Sequence, residues 1–228
     1  TGKEIGILLN PLETNFESAQ TMSISIPSET RIHNICDNSG SFGKQSIQLD
    51  QKSFGKWQKT DVSVNFENKY IFSEDEIEGK KFYIFSKPFA FPFKIADLIY
   101  MSSSNDRYCF IDAPNEISEE IASLKQGNLL TENCTGEEIK ICFEGGNCDI
   151  DVDYNAGLVN KERESTYFSG IEGNERALMY AAIFSSKDSY ECQLKRLMLR
   201  LKELSSLYMN KELLVNKKGC GENFQGNL

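Results

Sequence analysis

The sequence predicts an α+β fold, in which an antiparallel β-rich domain is followed by a C-terminal helical segment with one long amphipathic helix. Within residues 21–170, short stretches of alternating polar and apolar residues are separated by turn residues, as is typical of half-buried strands. From residue 174 onward, the apolar residues recur at helical spacing. The 228 residues, 39% of them hydrophobic, suffice for a sizeable core. We therefore expect one α+β domain over 21–218, β-rich at 21–170 and helical at 174–218.

The strands of the β-rich part are predicted from this alternation. Pro27 and Ser28 separate the first two, and residues 74–79 form an acidic loop. Two further strands are expected to pair as a hairpin around Gly145 and Gly146. In chain order the predicted strands are 21–26, 31–36, 44–49, 61–66, 80–86, 94–101, 107–112, the hairpin strands 138–144 and 148–154, and an edge strand at 165–168.

Helices are predicted from apolar residues that recur every three or four positions. Such spacing predicts a short amphipathic helix within 115–125 and a second helix that begins near Glu175. A third helix follows Lys187, and its seam is shorter than three heptads. So short a seam favours packing against the helix's own domain over a coiled coil. The seam consists of Tyr190, Leu194, Leu197, Leu201, Leu204 and Tyr208.

The seven cysteines carry the evidence about compartment. Their number is odd, so three disulfides plus one free thiol is the simplest oxidised arrangement, and it indicates an extracellular environment. Reduced buried thiols, catalysis and metal binding are the alternatives, although no CxxC motif is present. The candidates for disulfides are Cys36, Cys109, Cys134, Cys142, Cys148, Cys192 and Cys220.

Two of the possible pairings can be judged from spacing. Cys142 and Cys148 lie on either side of the glycine turn, so a bond between them would close the hairpin. In one straight helix over 189–218, Cys192 and Cys220 would lie about 40 Å apart, too far for a bond. Either that pair is not bridged or the helix breaks, near Asn210. We expect Cys192 to tie the helix to the β-rich part.

Composition excludes several classes of function. There are 34 acidic residues against 25 basic ones, a net charge of -9, which argues against nucleic acids and anionic membrane surfaces as partners. The single histidine, His33, excludes multi-histidine metal sites and is interpreted as a strand residue. The sequence contains no GxSxG, P-loop, GxGxxG or HExxH motif. No cofactor is expected apart from a candidate Ca²⁺ site.

That candidate Ca²⁺ site is a row of carboxylates. Asp149, Asp151 and Asp153 alternate with apolar residues, so a strand would place all three on one face about 6.8 Å apart. Clustered oxygen ligands suit Ca²⁺. The alternative is a solvated strand face. The register resembles the start of an EF-hand loop but departs from it at Tyr154 and Asn160.

Two further features are candidates for surface recognition. Phe89, Phe91 and Phe93 lie in a stretch stiffened by two prolines, and such aromatic residues lose little entropy on binding. The alternative is a plug that covers the end of the sheet. Asn133 begins the only N-x-[ST] sequon and is a candidate glycosylation site, which would place it on the surface of an exported protein.

The two ends are expected to lie outside the domain. Residues 1–20 are interpreted as a short helix or linker that arrives from an upstream membrane anchor. Residues 219–228 are expected to be a flexible tail. Its ENFQGNL resembles the recognition sequence of tobacco etch virus protease, usually ENLYFQG, which would make these last residues an appended sequence.

Three segments carry a resemblance to a known family, namely FYIFSKPFAFPFKIADLIYMSSSNDRYCFIDAP, NCTGEEIKICFEGGNCDIDVDY and YECQLKRLMLRLKELSSLY. They resemble an uncharacterised family of membrane-anchored surface proteins from small-genome archaea, with one N-terminal transmembrane helix. The resemblance implies that this chain is an ectodomain on the outer face of the cell membrane. The family supplies no functional residues to transfer.

These observations favour a non-enzymatic extracellular domain of a membrane-anchored cell-surface protein. Its role would be adhesion, assembly or envelope interaction, through a protein partner or self-association, and it would meet the membrane only through its anchor. The alternatives are a pilin-like filament subunit ectodomain and a secreted carboxylate-dependent hydrolase. A deep cleft with two carboxyls of shifted pKa would favour the hydrolase. An apolar patch near 89–93 or on the C-terminal helix would favour interaction.

Overall fold

Two six-stranded sheets and three helices make up the described part of the chain. A computed structural model describes residues 20–162 and 164–217. In the first sheet the strand order is β3-β2-β1-β5-β6-β4, and in the second it is β12-β11-β10-β9-β7-β8. The strands of the first sheet are β1 (Gln20–Asp37), β2 (Lys44–Ser53), β3 (Lys56–Phe66), β4 (Tyr70–Phe72), β5 (Glu76–Ala90) and β6 (Lys94–Ser103).

The strands of the second sheet have two to four residues each. In the sequence, one helix lies between its first two strands, and the other two helices follow its last strand. Its strands are β7 (Tyr108–Ile111), β8 (Leu129–Leu130), β9 (Ile139–Cys142), β10 (Ile150–Asp153), β11 (Leu158–Lys161) and β12 (Glu164–Tyr167). The helices are α1 (Asn115–Leu124), α2 (Glu175–Phe184) and α3 (Lys187–Lys217). The α+β class and the long C-terminal helix predicted from the sequence are therefore confirmed, as is the edge position of β12.

The first sheet departs from prediction at its prolines. Segments 21–26 and 31–36 form one strand, because Pro27 lies in the irregularity between Ser25 and Thr30, where the pairing of β1 with β5 is interrupted. Strand β5 begins inside the predicted acidic loop and runs through Pro88. Proline is tolerated there because, among the residues that the structure describes, the pairing of β5 with β1 reaches only to Ser86 and β6 alone lies opposite Pro88.

The predicted hairpin of the second sheet is wrong. Strands β9 and β10 pair in parallel, with Ile150 opposite Ile141, although only residues 143–149 connect them. Parallel neighbours normally need a longer crossover. Here the Cys142–Cys148 disulfide closes the link, and the backbone N–H of Lys140 donates to the Asp149 carboxylate at 2.8 Å. The glycine-rich link therefore forms a cross-linked loop that returns the chain in the same direction.

The core consists of two clusters on the two faces of the first sheet. Along β6, Leu98 and Tyr100 belong to the cluster shared with the second sheet and the helices. Ile99 and Met101, between and beyond them, belong to the cluster on the opposite face. Burial on both faces explains why the β6 sequence is nearly continuously apolar.

The helices follow the predicted apolar spacing. In α1, the buried residues are Ile117, Ile121 and Leu124, as predicted. Helix α3 runs unbroken through Asn210, and Cys192 is bonded to Cys36 of β1, so the predicted tie between helix and sheet is confirmed. The alternative of a broken helix is wrong.

A buried arginine anchors α3. Arg196 is fully buried and stacks over the Tyr70 ring at 4.9 Å. Its Nη1 donates to the Lys69 carbonyl at 2.9 Å and to Gln193 Oε1 at 2.8 Å, and its Nη2 donates to the Glu67 carbonyl at 3.0 Å. Burial lowers the pKa of this guanidinium, and the carbonyl oxygens offset the cost of its charge.

Three disulfides join six of the seven cysteines: Cys36–Cys192, Cys109–Cys134 and Cys142–Cys148. They fit a protein of an oxidising environment. The seventh cysteine, Cys220, lies outside the described residues, as do the predicted segments 1–19 and 219–228. Over 20–162 and 164–217, no helix has both the length and the apolar character needed to cross a bilayer.

We predict that Arg196→Lys lowers the free energy of unfolding by about 3 kcal/mol. Lysine keeps the charge but cannot reach several carbonyls at once, so buried acceptors lose their donors. The control is Arg176→Lys on the half-exposed face of α2, where we expect a change below about 0.5 kcal/mol. Urea denaturation measures both. Equal effects of the two substitutions would contradict the anchoring role.

Candidate functional site

The three phenylalanines of the proline-stiffened segment have different environments. Phe89 is fully buried, because it ends the core-facing side of β5, as the alternative of a sheet plug expects. Phe91 is 46% exposed. Its backbone N–H donates to the Phe93 carbonyl at 2.9 Å, which forms a tight turn. Phe93 is partly buried, and its ring packs against that of Tyr208 of α3 in a tilted arrangement, with centroids 4.6 Å apart. The turn and the helix therefore form one surface.

The last turns of α3 expose most of their large apolar side chains. The seam residues Tyr190 and Leu197 are buried, whereas Tyr208, at its end, is 43% exposed. Beyond Leu204 the helix therefore extends past the core. We define the helix-tip surface as the exposed or stacked apolar residues Phe91, Phe93, Leu207, Tyr208, Met209, Leu213 and Leu214.

The charges around the helix tip differ from those of the whole chain. Lys202, Lys211 and Lys217 accompany Glu203 and Glu212 there, whereas the chain carries a net charge of -9. Repulsion therefore opposes the close approach of a second copy less at the tip than the net charge of the chain would suggest.

An acidic groove lies at the other end of α3, where both sheets meet its first turn. It consists of two cavities of about 470 and 650 Å³, and Glu76 lines both. The carboxylates of the first cavity are Asp50, Asp75, Glu76 and Asp188. Those of the second are Glu74, Glu76, Asp106, Asp149, Glu162 and Glu164. Far fewer basic side chains accompany them, so the groove concentrates negative charge.

His33 lies on β1 in this groove, as its interpretation as a strand residue expects. Its Nε2 lies 3.0 Å from Asp50 Oδ2, and its Nδ1 lies 3.1 Å from Glu76 Oε1. Both nitrogens can donate only when the ring is protonated. Cys36 is held in a disulfide, so this histidine has no thiol beside it to activate.

Two ionisable groups of the second cavity are shifted by burial. Burial raises the pKa of Asp106, and the nearby carboxylates Glu74 and Glu78 raise it further. Burial lowers the pKa of Lys161, although its Nζ donates to Glu74 Oε1 at 2.9 Å and to the Ser185 carbonyl at 2.8 Å. The raised pKa of Asp106 reflects first its burial and then the negative charge of the carboxylates nearby.

Two of the three carboxylates of the predicted Ca²⁺ site accept hydrogen bonds from backbone N–H groups. Asp149 accepts the hydrogen bond from Lys140, and Asp153 Oδ1 accepts one from the Ala156 N–H at 2.8 Å. Asp151 lies between them on β10, opposite Asn160. Within 20–162 and 164–217, no group of three or more His, Cys, Asp or Glu side chains is arranged to hold a metal ion. Calcium binding here stays a prediction.

The sequon lies at an exposed loop. Asn133 is exposed and adopts a left-handed backbone conformation, with φ of 56°. Its neighbour Cys134 is bonded to Cys109, and the Thr135 hydroxyl donates to Glu138 Oε1 at 2.8 Å. Glycosylation of Asn133 stays a prediction.

We predict that the phenylalanines separate in a mutational test. Phe89→Ala should lower the free energy of unfolding by about 3–5 kcal/mol, because it leaves a cavity in the core. Phe91→Ala, at an exposed position, should lower it by less than about 1 kcal/mol. Chemical denaturation measures both, and comparable losses would show that Phe91 is structural.

We also predict that Asp106→Asn stabilises the protein at pH 7. The folded pKa of Asp106 is above its unfolded value, so its destabilising effect appears as pH rises through the folded pKa and is absent below about pH 4. The gain in unfolding temperature should therefore shrink as the pH falls. Asp112→Asn, at an exposed position just after β7, is the control. A gain that is the same at pH 3.5 and pH 7 would contradict the electrostatic explanation.

The described surface thus offers an apolar helix tip and an acidic groove at opposite ends of α3. Comparison with family models, with curated proteins and with solved structures finds no match for this chain. The chemistry of these two surfaces is therefore the basis for assigning a function.

Proposed function

We propose that this chain is a non-enzymatic extracellular domain of a membrane-anchored surface protein, and that it assembles with a second copy of itself through the helix-tip surface. The observation that carries the proposal is the exposure of large apolar side chains on consecutive turns of one helix. Leu207, Met209, Leu213 and Leu214 are each 57–61% exposed. Contiguous apolar patches of this kind are typical of protein–protein contacts.

The surface has features of an interface core. The rings of Tyr208 and Phe93 pack against each other. Their mutual contact restricts both rings in the unbound protein, so they lose little entropy on binding. Phe91 extends the patch beside them on a tight turn. Aromatic anchors that are fixed in this way contribute disproportionately to binding energy.

The local charge supports a second copy as the occupant. Because Lys211 and Glu212 are adjacent at the tip, two helices packed side by side can each offer both signs of charge to the other. Leu207 and Leu214 are seven residues apart and therefore lie on one side of the helix. Pairing of two tips would cover this side on both copies at once, as a two-fold contact does.

The extracellular part of the proposal is supported by the disulfides. Cys36–Cys192 connects residues 156 positions apart, and it crosses from the first strand to the last helix. A cross-link of this span constrains the unfolded chain strongly, which suits a domain exposed to an oxidising exterior. Anchoring to a membrane is a prediction from the family resemblance.

Sedimentation velocity over a range of protein concentrations tests the assembly. We expect the parent chain to sediment faster as its concentration rises, and the double variant Leu207→Glu/Leu214→Glu to remain monomeric with an unchanged unfolding temperature. The matched control is Asn210→Glu/Asn216→Glu, which adds the same charge to the same turns without removing apolar surface, and it should still associate.

Three outcomes would contradict the proposal. A parent that is monomeric at every concentration excludes self-association. A monomeric parent whose unfolding temperature falls in the leucine variant, but not in the control, would show that the chain's own residues cover the tip. Growth into long polymers in place of a dimer would also contradict the proposal, because it would show that the contact is head-to-tail and not two-fold.

A further inference from the structure

The first cavity of the acidic groove, which we term the His33 cavity, has the size and walls of a small-ligand site. Its volume of about 470 Å³ lies within the range of such sites. It lies where β1, β2 and the start of β5 meet the first turn of α3. Its walls include His33, Ile35, Asp50, Lys59, Glu76 and Asp188.

A buried acceptor in this cavity has no donor. Asp50 is 93% buried, since its exposed fraction is 7%. Its Oδ2 lies 3.0 Å from His33 Nε2, whereas its Oδ1 is inaccessible to solvent and has no hydrogen-bond partner among the described residues. Leaving such an oxygen unsatisfied costs free energy, which a rotation of the carboxylate toward a donor in the cavity would recover.

The charge of the cavity selects a cation. Four carboxylates line it, and they outnumber its two basic side chains, Lys59 and His33. His33 can supply at most one positive charge, and its ring lies between Asp50 and Glu76, so it cannot neutralise both carboxylates. Asp188 is exposed at the first turn of α3 and adds negative charge at the mouth.

The arrangement suits an organic cation better than a metal ion. The carboxylates do not converge: within the described ranges, no three acidic, histidine or cysteine side chains are placed to hold a metal. An ammonium group donates in three separate directions, and so it can satisfy carboxylates that face it from different walls. Ile35 and the Cys36–Cys192 disulfide add an apolar wall against which methylene groups can pack.

We propose that the His33 cavity binds a primary alkylammonium group, with the nitrogen donating to Asp50 and Glu76 and the alkyl stem lying against Ile35 and the disulfide. The group belongs either to a free aliphatic diamine or to the lysine side chain of another protein. This site is at the opposite end of α3 from the helix tip, so it does not depend on the proposed assembly.

Titration of amide resonances by NMR at low salt tests the proposal with three probes. These are 1,5-diaminopentane, Nα-acetyl-lysine methylamide and Nα-acetyl-norleucine methylamide, which has a similar stem without the charge. We expect both amines to shift the backbone amides of Asn34, Ile35 and Gln48, and the norleucine probe to leave them unchanged. Tighter binding of the diamine would identify a free amine as the ligand, and tighter binding of the lysine derivative would identify a protein side chain.

Substitution then assigns the binding to the buried carboxylate. Asp50→Asn keeps the shape and should raise the dissociation constant at least tenfold, provided its unfolding temperature shows that it folds. Asp188→Asn, at an exposed position that does not threaten folding, should raise it about threefold. The control Asp112→Asn, just after β7 and outside this cavity, should leave it unchanged.

The proposal is overturned if neither amine shifts these amides, or if the norleucine probe shifts them equally. It is also overturned if Asp188→Asn and a folded Asp50→Asn bind like the parent, since the cation would then be held by general surface charge.

Discussion

The burial of Arg196 is the interaction on which the placement of α3 depends. The guanidinium is held by carbonyl oxygens of residues 66–69 and stacked on Tyr70, so a charged group becomes part of the interior. Its fork of donors satisfies several acceptors that no apolar residue could satisfy. Gln193, one turn earlier, donates to the Ile71 carbonyl at 3.1 Å, and Cys192 is bonded to Cys36. One short stretch of helix thus fixes the register of α3 on the first sheet.

From that anchor, the two halves of α3 acquire different roles. The first half contacts β1, β4 and β6 of one sheet and β12 of the other, so it holds both sheets together. The second half continues beyond the core, where Leu207, Leu213 and Leu214 are each more than half exposed. Because the helix is stiff, each residue after the anchor lies about 1.5 Å farther along the helix axis. The position of the helix-tip surface therefore follows from where Arg196 holds the helix. The contact between the Phe93 and Tyr208 rings supports the helix further along.

The acidic groove results from the same placement. The chain that leads from α2 into α3 lies against residues 74–76. There the Ser186 hydroxyl donates to Asp75 Oδ1 at 2.7 Å. Carboxylates from both sheets meet there: burial, and then the nearby carboxylates, raise the pKa of Asp106, and Asp50 Oδ1 has no hydrogen-bond partner among the described residues. The acidic groove and the apolar helix tip lie at opposite ends of a single anchored helix, so the proposed ligand and the proposed partner can bind independently.

The sequence alone determined what depends on local pattern. It predicted most strands, the buried face of α1 and the tie between Cys192 and the β-rich part, because periodicity and helix geometry are properties of neighbouring residues. It also predicted Phe91 and Phe93 as surface candidates, but it could not separate them from Phe89. That separation depends on which side of β5 faces the core.

Only the tertiary structure decided the rest. The parallel pairing of β9 with β10 and the passage of β1 across Pro27 depend on which strands lie alongside, and no local signal encodes this. Nothing in the local sequence around Arg196, which follows Lys195 in a helix, indicates burial, because that burial depends on carbonyls 127–130 residues away. The groove likewise brings together Asp50, Glu76 and Asp188 from three elements distant in sequence. Contacts of this kind follow from global packing, whereas the sequence pattern records only each residue's own neighbours.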